Sequence, residues 1–128
     1  MAFGRKKLSL LLGTTLALGF AAGVALSQAK APTETKGLSA DKLEAIDTLR
    51  MRKVMLLPNG VIGLHSHKDQ PTVNYLLQGV ITFHEEGKPP RVVKAGESFA
   101  EGKATTHWAE NRTGVAAVWI SVDVSKEP

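Results

Sequence analysis

The chain has 128 residues, 43% apolar and 22% charged, a composition that belongs to globular rather than disordered or fibrous sequences. It contains no cysteine, which excludes disulfide stapling, thiolate metal ligands and thiol nucleophiles. Of its 16 basic residues, Arg5, Lys6 and Lys7 fall in an N-terminal leader-like stretch; the remainder carries 13 basic against 12 acidic residues, a balance that gives nucleic-acid binding no electrostatic support.

That stretch has three parts. Met1 to Lys7 is short and positive, Leu8 to Leu26 contains no charged residue, and Ser27-Gln28-Ala29 puts small residues at the minus-three and minus-one positions. This is the pattern of a secretory signal peptide over residues 1–29, cleaved after Ala29, and it predicts a periplasmic or secreted protein. The alternative is an uncleaved membrane anchor over residues 8–26, because 19 residues approach the roughly 20 that span a bilayer. No cysteine lies near Ala29 to carry a lipid, and no twin arginine marks the other export route. Cleavage leaves 99 residues, enough for one small domain.

Residues 30–48 read as a lead-in and arm. Lys30 to Gly37 is polar and aperiodic, which predicts a flexible linker. Leu38 to Leu49 fits either a short helix capped by Ser39 or an extended arm across a sheet edge. From 49 to 128 the pattern is antiparallel β. Strands are predicted at Arg50–Leu57, Val61–His67, Val73–Leu77, Val80–His84, Arg91–Lys94, Thr105–Ala109 and Val115–Val124, with Phe99-Ala100 as a short bridge. Turn signals separate them, among them Pro58-Asn59-Gly60 and Asn111-Arg112-Thr113-Gly114. Short strands at this spacing predict an all-β sandwich or jelly roll.

The chemistry concentrates in Gly60-Val61-Ile62-Gly63-Leu64-His65-Ser66-His67. On a strand, side chains alternate, so His65 and His67 share a face and their imidazoles can meet on one metal ion. His107 offers a third imidazole from a second strand-like stretch. Period two also puts Val61 and Gly63 on the inner face, where Gly63 leaves space beside the metal. Ile62 and Leu64 then face outward, so the strand is apolar on both faces, which predicts a homodimer.

These residues resemble the two motifs of the cupin superfamily. The first runs glycine, H-x-H, a glutamate, then a glycine seven residues later; His65, His67 and Gly79 match, Thr72 stands at the glutamate position, and Asn59 stands at the leading glycine. In the second, Gly96, His107 and Asn111 match at the family's spacing, while Gly102-Lys103-Ala104 replaces P-x-G. The resemblance covers residues 49 to 124 and is nearest in layout to small quercetin-dioxygenase-like cupins. It implies a cupin-type jelly-roll barrel of antiparallel strands, one divalent metal ion on His65, His67 and His107, and a small-molecule ligand. Iron, manganese, nickel and zinc all remain open.

Three neutral imidazoles without a carboxylate leave the ion its full charge, which favours a small anionic organic substrate and oxygenase-type chemistry. A metal-dependent isomerase or lyase and a non-catalytic binding module are the alternatives, since the fold serves all three. Tyr75 and Asn74 are the candidate catalytic groups, Asn74 sharing a strand face with Thr72. His84 and Glu110 read as surface residues, Glu110 facing away from His107. Asn111, although within a glycosylation sequon, reads as the turn asparagine. Export is checked directly: mass spectrometry of the soluble periplasmic or secreted fraction is expected to find a mature amino terminus at Lys30, whereas full-length chain in washed membranes would establish the anchor.

Overall fold

The computed structural model describes residues 30–125 of the chain, so the leader-like stretch lies outside the described residues. Eight antiparallel strands account for the fold: β1 (Lys36–Ile46), β2 (Leu49–Ser66), β3 (Thr72–Gln78), β4 (Val80–Glu85), β5 (Arg91–Lys94), β6 (Ser98–Glu101), β7 (Thr106–Glu110) and β8 (Ala117–Val124). They hydrogen-bond in the order β5-β4-β7-β2-β8-β3-β6, with β1 added to β2. The expected all-β jelly-roll barrel is what the chain forms. The arm is a strand, not a helix: β1 pairs with β2 from Ile46↔Leu49 to Lys36↔Val61.

β2 differs most from expectation. Pro58-Asn59-Gly60 does not reverse the chain; it lies inside one continuous strand of 18 residues. Asn59 takes φ of 58°, a left-handed conformation that asparagine tolerates better than most residues, which accounts for its standing where the family has glycine. The kink lets one strand change partners. Leu49 to Leu56 pairs with β8, and Val61 to Ser66 pairs with β7. Asn111 ties down the changeover: its backbone exchanges hydrogen bonds with Asn59 and Gly60, and its side-chain amide donates to the Leu56 and Val115 carbonyls. Its burial, at 1% exposed, removes it from reach of glycosylation and supports its reading as a turn residue.

The sheet thus folds about β2 into two wings. Val54, Leu56, Leu76, Phe99, Ala117 and Trp119 from one wing pack against Ile81, Phe83, Val93 and Ala109 from the other. Strand alternation produces this directly, as β3 and β8 show: Leu76, Ala117 and Trp119 are buried, while Val73, Tyr75 and Leu77 are half-exposed.

A β-bulge corrects the phase expected for β2. Ile62 pairs with Ala109 and His65 with His107, so three steps along β2 match two along β7. The extra residue turns Ile62 inward, where it packs against the core, and the apolar outer face inferred from Ile62 is not there. Gly63 likewise leaves no open space beside the histidines. A Cβ there would lie 2.6 Å from the Thr33 carbonyl oxygen, because residues 32–35 run across the bulge. The Leu64 amide donates to the Pro32 carbonyl and the Gly63 amide to the Thr35 hydroxyl. The polar lead-in is therefore docked rather than free, for a reason its composition does not carry: it satisfies amides that the bulge leaves unpaired.

Gly63→Ala tests this contact. Backbone atoms rather than a flexible side chain meet the added carbon, so overpacking is expected to cost about 1–3 kcal/mol in urea denaturation. The same variant should be cut faster by protease within residues 30–35.

Candidate metal centre

The inner face is laid out in rows across the strands. Glu101, Thr72, Asp123 and Arg50 are successive cross-strand partners over β6, β3, β8 and β2. Phe99, Asn74, Ser121 and Arg52 form the next row. One end of the barrel interior is therefore polar and the other apolar. Beside the polar rows lies a cavity of about 240 Å³, lined by Arg52, His65, His67, Asn74, Glu101 and His107 among others.

The three histidines converge at this cavity. The bulge in β2 keeps His65 and His67 on the inner face, and the β2–β7 register sets His107 opposite His65. His67 Nε2 lies 3.0 Å from His65 Nε2 and 3.0 Å from His107 Nε2. All three donor atoms fall within 4.8 Å of one another. His107 and His67 are buried, at 2% and 8% exposed, while His65 stands at the open side. Phe83 stacks on the His107 ring at 4.2 Å between centroids, with 19° between the planes.

Hydrogen bonding behind the rings determines what faces inward. His65 Nδ1 lies 2.8 Å from the Gly63 carbonyl, and His67 Nδ1 lies 2.8 Å from the Gln70 carbonyl. A carbonyl only accepts, so both Nδ1 atoms carry the proton and both Nε2 atoms of the neutral rings are bare lone pairs. Two lone pairs facing each other at 3.0 Å repel unless a cation lies between them. A metal–nitrogen bond of about 2.1 Å with donors at right angles separates those donors by about 3.0 Å, so the spacing fits a divalent ion. Carbonyl acceptors on the outer nitrogens are also the usual support of metal-bound histidines.

Thr72 is not aimed at the centre. Its hydroxyl donates to the Gln70 carbonyl and lies 3.1 Å from His67 Nδ1, behind the ring. The carboxylate facing the centre comes from Glu101, buried at 6% exposed, with oxygens 3.1 Å from His107 Nε2 and 3.5 Å from His67 Nε2. The carboxylate-free site expected above is therefore corrected. Asn74 donates to Glu101 at 3.0 Å, which makes it a positioning group rather than a reacting one. Tyr75, its neighbour in sequence, lies half-exposed on the outer face of β3, because alternation sends it the other way. His84 stacks on Trp108 and pairs with Glu110, which also meets Arg112, all outside the cluster.

In the sequence Glu101 only flanks the second motif, and a β6 limited to Phe99-Ala100 gives it no part in the site. Extended by one residue, the strand puts Glu101 in phase with the core residue Phe99, and an acid in phase with a buried aromatic was the available signal. Asp123 is its counterpart on β8, in phase with Trp119 and Ser121, and Arg50 and Arg52 neutralise it.

An antiparallel barrel with three imidazoles gathered at an inner cavity defines a class of small β-barrel protein built around a histidine cluster. Within that class the chain belongs to the cupin family, whose cupin domain model matches residues 52–123. Among solved structures it is similar to the Schizosaccharomyces pombe Cnp3 cupin domain, with TM-score 0.65 and 13% identity over 73% of this chain and 64% of that one. KdgF from Halomonas sp. gives 0.62 and 20%, over 71% and 82% of the two chains. Recombinant oxalate oxidase in complex with glycolate gives 0.60 and 21%, over 72% and 53%. The chain thus spans less than two thirds of the Cnp3 domain and about half of the oxalate oxidase chain, and what is shared at these identities is the fold. No curated protein matches the sequence.

Burial, together with neighbouring His107 and His67, holds the His65 pKa below the ordinary histidine value of about 6.5 despite the Gly63 hydrogen bond. Above that value folded and unfolded chains both keep His65 neutral. Below it the unfolded chain binds a proton that the folded chain resists, so stability falls as pH falls. Thermal melts of chelator-treated protein are expected to show Tm declining as pH drops below about 6.5. In His65→Gln that part of the decline should be absent.

Proposed function

We propose that the protein holds one divalent metal ion through His65, His67 and His107 and acts on a small anionic organic molecule by oxygenase-type chemistry. The observation that carries this reading is the pair of carbonyl-fixed lone pairs, 3.0 Å apart, at a cavity that also contains an arginine. Bound there, the ion would supply Lewis-acid polarisation of a substrate oxygen and, if redox-active, an electron path to dioxygen.

The chain's own residues supply recognition. Arg50 and Arg52 both pair with the single carboxylate of Asp123, so the trio keeps a positive charge. Arg52 lines the cavity, and its buried Nε has no hydrogen-bond partner. The positive charge left over at the cavity wall supports a carboxylate or comparable anion as ligand, oriented by Arg52 with its reacting end toward the histidines. Oxalate oxidase, one of the structural neighbours, is described with glycolate, an anion small enough for a cavity of this size. The half-exposed Val73, Tyr75 and Leu77 on the outer face of β3 support a homodimer. Export through residues 1–29 completes the proposal.

Elemental analysis after dialysis tests the centre. Wild type is expected to retain about one ion per chain, and His65→Ala, His67→Ala and His107→Ala should each lose it, since two neutral ligands hold a divalent ion poorly. His84→Ala should match wild type. In calorimetric titrations with glycolate and oxalate, Arg52→Gln is expected to weaken binding roughly 10- to 100-fold, the worth of a charged hydrogen bond, while Arg50 still covers Asp123. Metal-free wild type that binds these anions equally well would make the protein a binding module. Turnover with zinc and without oxygen uptake would assign it to the isomerase or lyase class.

A further inference from the structure

We propose that Glu101 supplies a fourth, carboxylate ligand to the metal from β6, taking over from the neighbouring strand the role that the family's first motif gives to the position of Thr72. The inference rests on the three-histidine reading above and places the carboxylate at a position that neither motif specifies.

Three observations carry it. First, the carboxylate meets the Nε2 side of His67 and His107, which is the metal-facing side. A group that only supported the rings would sit at Nδ1, where the Gly63 and Gln70 carbonyls and the Thr72 hydroxyl are found. Second, Glu101 and Thr72 are direct partners in the β3–β6 ladder. Side chains of such partners start about 5 Å apart on the same face, so a glutamate from either strand reaches the same space. Third, the row admits one more acid and not two. Thr72 lies between Glu101 and Asp123. A glutamate at 72 alongside both would line up three carboxylates in a buried row, and like charges directly opposite are destabilising. Threonine at 72 and glutamate at 101 thus form one arrangement.

Asn74 completes it. Its amide donates to one Glu101 oxygen, Oε2, which leaves Oε1 at 3.1 Å from His107 Nε2 free of any bond from Asn74. A carboxylate held in this way faces the cluster with a fixed orientation. It also lowers the formal charge of a divalent centre from +2 to +1, so that Arg52 carries more of the attraction for an anionic substrate.

Cobalt(II) is the probe for the test, because its visible spectrum reports the ligand set without any turnover. Affinities come from competition with a chromophoric chelator, using full-length mature protein. Glu101→Gln is expected to weaken cobalt binding more than about 100-fold, beyond the roughly 10- to 100-fold typical of losing an outer partner, and to change the spectrum. Asn74→Ala, which loses only the orienting bond, should fall within that smaller range and keep the wild-type spectrum. The exchange variant Thr72→Glu/Glu101→Thr should recover binding to within about tenfold of wild type, whereas Thr72→Glu alone should lower the Tm of metal-free protein. Circular dichroism of metal-free Glu101→Gln verifies that the fold persists.

If Glu101→Gln keeps wild-type affinity and spectrum while the histidine variants lose the metal, this inference fails and the three-histidine centre stands. A weakened affinity with an unchanged spectrum would also overturn it, by making Glu101 a positioning residue. If wild type binds no cobalt, both readings fail together.

Discussion

One strand has to serve both wings of the folded sheet. β2 runs through the whole barrel, hydrogen-bonded to β8 over its first half and to β7 over its second, so any change in its phase shifts both wings. Two irregularities set that phase: the left-handed Asn59 and the bulge between Ile62 and His65. Without the bulge, Ile62 and His65 would lie on opposite faces, since they are an odd number of residues apart. With it, an apolar wall and the histidine pair come from the same short stretch. The cost is a pair of amides without ladder partners, and residues 32–35 answer them.

The electrostatics of the interior follow from the register of the other strands. Placing β6, β3 and β8 side by side aligns Glu101, Thr72 and Asp123, and extends the row to Arg50. Each buried charge in that row has a partner of opposite sign or an orienting donor: Asp123 two guanidinium groups, Glu101 the imidazoles and Asn74. A carboxylate this deep would ordinarily resist ionisation. Burial does oppose it at Glu101, but the hydrogen bond from His107, the nearby imidazoles and the Asn74 amide together outweigh burial, and its pKa lies below the usual value. The site is therefore charged in advance, on rigid strands rather than on loops.

How much of this was legible in the sequence depended on whether a feature was periodic. The barrel and the shared face of His65 and His67 follow from alternation and turn signals, and the structure has both; the place of His107 beside them followed from the resemblance to the cupin motifs. Wherever a local irregularity broke the alternation, the reading inverted: Ile62 went inward, and Gly63 came to lie under the lead-in. Cross-strand register was invisible for a different reason. That Thr72 faces Glu101 across a ladder is a fact about pairing between segments 29 residues apart, and neither segment alone contains it. Alternation along β3 also separates the two candidate catalytic groups, sending Asn74 inward to Glu101 and Tyr75 to the outer face, away from the cavity where a proton donor would have to lie.

The docked lead-in has a practical consequence for how the molecule is divided. The match to the cupin domain begins at residue 52, but the ordered strand network begins well before it, at the contacts of Pro32 and Thr35. A fragment cut at the family boundary would lose β1 together with the two carbonyl and hydroxyl acceptors that cover the bulge. It would then leave the β2 edge that β1 covers, from Arg52 to Val61, unpaired toward solvent on the same strand that carries His65. Such a fragment is a template for pairing with other copies, so the boundary chosen for expression decides whether the histidine cluster is studied in a barrel or in an aggregate.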